Sequence, residues 1–351
     1  MTWNASDERS HLMLAHEIRT ERVTEAQIGW ATTVSLRTAG GERLLPKGGV
    51  ITPEVFARWH ELPDGVLHLI ELEPGDMHED VAGQRVSEAV SGPGIQIEGP
   101  FNSRFNLNSA HRGLLTVDAE RVQELNAVGQ LSLFTRFTDQ AVVEGQTVAG
   151  VKATPIVVPE SDVERIEALA ARGSAPIVDV LPFVGRRAAV VATESLHPRL
   201  RESFEQRVRE KLGWYSSTEC SFAYVDAERD RVAAAIRAAF GDGAELIMAA
   251  GGNTLDPLDP ILQALPEIGA EMVHYGAPAD PGSMFWVAEC DERPIFNLAS
   301  CSMYSEATVI DLMLPLVFAG RRIVPDDVRR LGYGGLLEDD MTFRFPSYDE
   351  E

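Results

Sequence analysis

Leu246-Ile247-Met248-Ala249-Ala250-Gly251-Gly252-Asn253-Thr254-Leu255-Asp256-Pro257-Leu258-Asp259-Pro260 carries a strand, a glycine turn and a helix start in fifteen residues. Its first five residues form a short unbroken apolar run, as a strand buried on both faces requires. The Gly251-Gly252 pair then ends the strand, and the missing side chains let a ligand approach the backbone closely. Asp256-Pro257 and Asp259-Pro260 each read as a helix N-cap followed by proline at the first helical position, which is a structural use of the same residues.

Working outward, the same strand-then-helix order repeats. Arg187 to Ala192 is an apolar run followed by a helix over Pro198 to Leu212, and Ser221 to Val225 is a second run followed by a helix over Asp226 to Phe240. Further strands are expected at Glu271 to Val273, Ser283 to Glu289 and Ile295 to Leu298, with a long apolar helix over Tyr304 to Phe318. Repeated βα order implies a mainly parallel sheet with helices on both faces, whose ligands sit beyond the carboxyl ends of the strands. Glu194 and Asp226 stand just past the first and second of these strands, where single acids also cap helices or complement their dipoles. Three acids beyond three strands of one sheet would crowd negative charge around a phosphate unless a divalent cation bridged them, and Mg²⁺ is the natural candidate.

The preceding half reads differently. Ala31 to Arg37, Gly65 to Glu71, Ile95 to Glu98, Gly113 to Val117 and Gln130 to Thr135 are strand candidates between Gly-rich turns, with helices at Pro53 to Glu61 and Glu79 to Val90. An Ala/Glu-rich stretch, Ser161 to Arg172, predicts a connecting helix. The expected organisation is a β-rich α+β region over residues 1–158, a connecting helix and linker over 159–183, a three-layer α/β domain over 184–320 and an extension over 321–351, whose acidic end is expected to be loosely held.

The 351 residues include 31 basic and 54 acidic side chains, for a formal charge of -23, which repels a phosphate backbone or an anionic membrane surface. Nucleic acid and membrane are therefore not expected as partners. A small anion remains compatible, because helix N-termini and backbone N–H groups bind it locally. Cys220, Cys290 and Cys301 are widely spaced with no C-x-x-C pair, giving neither a zinc site nor a disulfide framework and fitting a reducing, cytoplasmic setting. Neither a signal-peptide core nor an apolar run of ~20 residues occurs.

Other conspicuous residues take structural readings. In Asp76 to Asp80, Asp76 and Glu79 are expected to form a helix capping box with His78 incidental. Cys301 reads as a packing residue, and His111 and His197 have no paired acid in a nucleophile arrangement.

The motifs in order are Ala192-Thr193-Glu194, Val225-Asp226-Ala227-Glu228, Ala250 to Asp259, Tyr275-Gly276-Ala277-Pro278, Pro281-Gly282-Ser283 and Leu298-Ala299-Ser300-Cys301. The set resembles the molybdopterin-binding domain shared by molybdopterin molybdotransferase and molybdopterin adenylyltransferase. Leu44-Leu45-Pro46-Lys47-Gly48 and His78-Glu79-Asp80 are similar to the leading half of stand-alone molybdopterin-binding proteins.

The resemblance implies that molybdopterin, or its adenylylated form, is the ligand, a small anionic pterin. It places Glu194, Asp226 and Asp259 at acidic active-site positions, with Asp226 and Asp259 holding Mg²⁺. Thr193, Gly251, Gly252, Asn253, Thr254, Ala299 and Ser300 would form the ligand loops. Mg²⁺-dependent molybdate insertion with nucleotide release is the implied reaction, and a homo-oligomer is expected.

The chain departs from the family pattern where Ala192 replaces glycine, Ala250 replaces threonine and Ala299-Ser300 replace Pro-Gly. A Cβ at a position needing positive φ or close ligand approach costs on the order of 1 kcal/mol or more, so these changes favour the alternative of a non-catalytic binding or carrier protein. A nucleotide-dependent oxidoreductase ranks last, lacking G-x-G-x-x-G after the first strand.

Overall fold

A computed structural model describes residues 14–193, 196–252, 255–298 and 308–348. They form two compact units. One holds the described residues up to Ala110 with Thr116–Thr138 and Glu144–Val180; the other holds His111–Leu115, Asp139–Val143 and the described residues from Leu181 onward.

The first unit is antiparallel. Leu14–Arg19 and Ala31–Thr32 flank Val66–Glu71, while Leu131–Thr135, Thr147–Ala153, Arg104–Ser109 and Ile95–Phe101 form a second sheet in that order. The run expected from Ala31 to Arg37 is interrupted, since Thr32 Oγ1 turns to donate to the Val34 carbonyl and leaves two short strands, Ala31–Thr32 and Leu36–Arg37. The connecting helix runs Glu160–Ala171, and an unforeseen helix, Ala119–Asn126, starts at Asp118, whose carboxylate accepts from Arg121 N.

The capping box proposed for Asp76 and Glu79 is not formed. Asp76 belongs to a strand, Asp76–His78, paired with Val157–Pro159, and its carboxylate accepts from Glu73 N. His78 caps the Glu79–Val90 helix instead, Nδ1 accepting from Asp80 N at 3.2 Å. With Nδ1 accepting, Nε2 carries the proton and donates to the Gly48 carbonyl at 2.6 Å. His78 therefore ties the loop at Lys47-Gly48 to the helix start and is not incidental.

The second unit is built on one six-stranded sheet. In chain order its strands are Ala188–Ala192, Cys220–Tyr224, Leu246–Ala250, Glu271–Tyr275, Trp286–Cys290 and Arg293–Leu298, called first to sixth below. Their spatial order is second, first, third, sixth, fifth, fourth. The second, first, third and sixth pair in parallel. The fifth pairs antiparallel with the sixth and the fourth antiparallel with the fifth, so the fifth alone runs against the rest; the sheet is mixed, and among the described residues most strand pairing is antiparallel. The reversal has a local cause: the fifth and sixth strands are joined by a tight turn in which Asp291 and Glu292 take φ 49° and 61°, leaving no room for a crossover helix.

Alternation along the buried strands divides the core in two. Ala188, Val190, Ala192, Leu246, Met248, Ala250, Phe296 and Leu298 pack with Phe204, Val208 and Leu212 of helix Pro198–Trp214 and with the wholly buried helix Val309–Phe318. Ala189, Val191, Ile247, Ala249 and Ile295 pack with Val232, Ala233 and Ile236 of helix Arg229–Gly241 and Ile261, Ala264 and Leu265 of helix Pro260–Glu267. The chain is thus a mixed α/β protein. Among the described residues no helix is long and apolar enough to cross a membrane.

The acidic end expected to be loosely held, Asp349 to Glu351, lies outside the described residues, while the extension before it is tied down as far as Tyr348. Arg344 donates to the Gly334 carbonyl, and Tyr348 reaches the buried carboxylate of Asp311 at 2.7 Å.

Candidate functional site

The register of the sheet sets the site. Ala192 lies opposite both Tyr224 and Ala250, and Ala250 lies opposite Leu298, so the four parallel strands finish level. The ladder continues one step further, with Thr193 N donating to the Ala250 carbonyl at 3.0 Å and Val225 N to that of Ala192 at 2.9 Å. Thr193, Asp226, Gly251 and Gly252 therefore emerge along one edge, the carboxyl ends where a sheet of this kind binds ligands.

Gly251 and Gly252 take φ 88° and 84°, two successive left-handed residues that side chains disfavour. The turn is backed by Asp259, which is 8% exposed. Asp259 Oδ1 accepts from Ile261 N at 2.9 Å, capping the helix that starts with Pro260. A Cβ built on Gly252 would lie 2.9 Å from Asp259 Oδ1, 3.1 Å from Oδ2 and 3.1 Å from Ile261 Cδ1. Asp256 shapes the approach to this cap without itself starting a helix: its Oδ1 accepts from Leu258 N at 2.9 Å, and its carbonyl accepts from Asp259 N at 2.9 Å. Leu255 and Leu258 are 73% and 69% exposed beside the turn, an apolar lip that residue chemistry alone did not single out.

Asp226 is exposed, two residues past the second strand. The helix expected from Asp226 begins at Arg229, with Glu228 in the N-cap position and no side-chain cap bond. Its carbonyl accepts from Glu228 N at 2.7 Å, so the backbone turns at Asp226 and its carboxylate does not serve as the helix cap.

Glu194, Asn253, Thr254, Ala299, Ser300 and Cys301 lie outside the described residues, as does the start of the apolar helix expected from Tyr304. Among the described residues no three His, Cys, Asp or Glu side chains gather closely enough to hold a metal ion.

Two of the family departures can be placed. Ala192 and Ala250 are 1% and 0% exposed, extended strand residues side by side in the register, with methyl groups in the apolar core. Neither has positive φ, so the strain expected of a Cβ in that conformation does not arise. Cys220 is chemically quiet, burial pushing its thiol up to about 12.

No protein-family model and no curated protein matches the chain. Among solved structures it is similar to the molybdopterin biosynthesis moea protein of Pyrococcus horikosii, at 14% identity and TM-score 0.30, covering 70% of this chain and 81% of that one. It is also similar to a provisionally assigned molybdenum cofactor biosynthesis protein of Corynebacterium diphtheriae, at 19% identity and TM-score 0.26, covering 43% of this chain and 97% of that one. A NadC deletion mutant follows at 11% identity and TM-score 0.16, covering 50% and 68%. These likenesses are too slight to assign an activity.

Proposed function

We propose that the second unit binds molybdopterin or adenylylated molybdopterin and acts in molybdenum cofactor biosynthesis. The observation that carries the reading is the meeting of motif order and register: the Thr193, Asp226 and Gly251-Gly252 motifs follow strands that end level, and the double-glycine turn is held from behind by Asp259. A phosphate at this edge would meet backbone N–H groups with no side chain in the way. The exposed Leu255 and Leu258 would offer apolar surface to the pterin. Thr193, Asn253, Thr254, Ala299 and Ser300 complete the proposed ligand loops.

Glu194, Asp226 and Asp259 are the proposed catalytic acids. The carboxylates of Asp226 and Asp259 are hard oxygen donors of the kind Mg²⁺ prefers, and they are its proposed ligands. Bound there, Mg²⁺ would supply positive charge opposite phosphate or molybdate oxygens. Asp259 has a separate task in any case, since one of its oxygens fixes the helix that supports the Gly252 turn.

A second reading, a binding or carrier protein without turnover, is favoured by Ala192, Ala250 and Ala299-Ser300, which stand where the family has glycine, threonine and Pro-Gly. Purified protein incubated with adenylylated molybdopterin, with and without molybdate and Mg²⁺, separates the two. Binding with release of the nucleotide is the result expected of the enzyme. Binding without release leaves the carrier, and no binding removes both.

A further inference from the structure

Asp311 is 0% exposed, yet it is a charged residue in the first turn of a helix whose other nine residues are apolar. Its carboxylate is satisfied by three separate segments. Lys211 of helix Pro198–Trp214 donates Nζ to Oδ1 at 2.8 Å and to Oδ2 at 3.0 Å, and Thr308 N donates to Oδ2 at 2.8 Å. Tyr348, three residues from the end of the 351-residue chain, donates its hydroxyl to Oδ1 at 2.7 Å. The tyrosine ring packs edge-on against Trp214, with centroids 5.8 Å apart, and its oxygen lies 3.2 Å from the hydroxyl of Tyr215.

This helix start abuts the Pro281-Gly282-Ser283 loop, which follows the carboxyl end of the fourth strand and so lies on the same sheet edge as the Gly251-Gly252 turn. A Cβ on Gly282 would lie 2.6 Å from Val309 Cγ2 and 3.2 Å from Val309 N, so glycine lets the loop pack directly against the Val309 side chain and the helix start. A buried carboxylate that loses one of its donors keeps its desolvation cost, so the three donor residues, with four bonds, hold the turn together.

We infer that Tyr348 is a positioning residue: through Asp311 it locks the amino-terminal turn of helix Val309–Phe318 against the Gly282 loop, so that the tail of the chain sets the geometry of the proposed pterin site. This rests on the proposed molybdopterin-binding role. The bond is local and charge-assisted, and the phenol reaches it from a segment far along the chain from the ligand motifs. Removing the hydroxyl while keeping the ring isolates the lock from the packing.

The test compares the full-length chain with Tyr348→Phe and Tyr215→Phe. The second variant removes a hydroxyl from the same aromatic cluster but leaves the bond to Asp311. Hydrogen exchange over Thr308 to Leu312 and the Kd for molybdopterin are measured on all three, with Tm as a check on folding. For Tyr348→Phe the expected result is exchange about tenfold faster in that turn and a Kd about three- to tenfold weaker, the scale of one hydrogen bond. Tyr215→Phe should match the wild type in both. Unchanged exchange in Tyr348→Phe, unchanged Kd despite faster exchange, or equal effects of the two variants would each overturn the inference. Failure of the wild type to bind molybdopterin would instead remove the reading of the site, leaving the exchange data to decide the lock.

Discussion

The carboxylate of Asp259 lies directly behind Gly252, so close that a Cβ at Gly252 would stand 2.9 Å from Oδ1 and 3.1 Å from Oδ2. One residue thereby serves two ends. Asp259 caps the Pro260–Glu267 helix, and the same side chain sets how near the turn after the third strand can come to that helix. Glycine at 252 is required twice over, by φ 84° and by the space the carboxylate fills.

Gly252→Ala should therefore be costly at a position with open solvent on its other side. Positive φ costs roughly 1–2 kcal/mol for a residue with a Cβ, and the contact with Asp259 adds to it. We expect a loss of about 2 kcal/mol in urea unfolding together with at least tenfold weaker molybdopterin binding. Asp259→Ala loses the cap, about 1 kcal/mol, and should relieve the clash when combined with Gly252→Ala. Strictly additive losses in the double variant would show that the two residues do not press on one another.

Glu79 offers a pH-dependent test in the first unit. It is 8% exposed in the first turn of the Glu79–Val90 helix. Burial raises its pKa above the ordinary carboxylate value, opposed by a hydrogen bond from Ser103 and assisted by the charge of Asp80. A raised folded pKa means that its contribution to stability is full below the unfolded pKa and is lost as pH rises through the folded value. Glu79→Gln should therefore be more stable than the wild type at pH 7.5, with the advantage fading below about pH 4, where both side chains are neutral. Urea midpoints at the two pH values measure this; an equal gap at both would mean that charge burial is not the cause.

Arg121 ties three pieces of the first unit together. Its guanidinium donates to Asp118 Oδ2 at 2.8 Å and to the carbonyls of Ala170 at 3.1 Å, Ala175 at 2.7 Å and Pro176 at 3.2 Å. Arg121→Ala strips these acceptors at once and should cost about 2–4 kcal/mol in chemical unfolding. Arg121→Lys should recover little of it, because an ammonium group cannot present the planar fork. Full recovery by lysine would show that charge alone is needed.

What the sequence made legible follows the strength of local signals. The apolar run Leu246 to Ala250 with its Gly-Gly end, and the Asp259-Pro260 helix start, were readable because strand burial, glycine φ and capping are properties of a few adjacent residues. The turn over Cys290 to Pro294 was readable too, but the repeated βα order to either side pointed to a mainly parallel sheet, whereas so short a turn reverses the fifth strand. The role of His78 was hidden because its partner, the Gly48 carbonyl, is thirty residues away in the chain. The same is true of Tyr348 and Asp311, whose bond joins residues that no spacing rule connects. At the candidate site, sequence marked Asp226 and Asp259 equally, whereas the fold leaves Asp226 exposed beyond the second strand and buries Asp259 behind the glycine turn.

The carboxyl edge around Gly251-Gly252 is the proposed molybdopterin site. The most direct measurement is the Kd of adenylylated molybdopterin for the purified wild-type chain, set beside that of Gly252→Ala under the same conditions. Saturable binding by the wild type, weakened at least tenfold by the variant while the protein stays folded, is the expected result. Equal affinity of the two folded proteins, or no binding by the wild type, would contradict it.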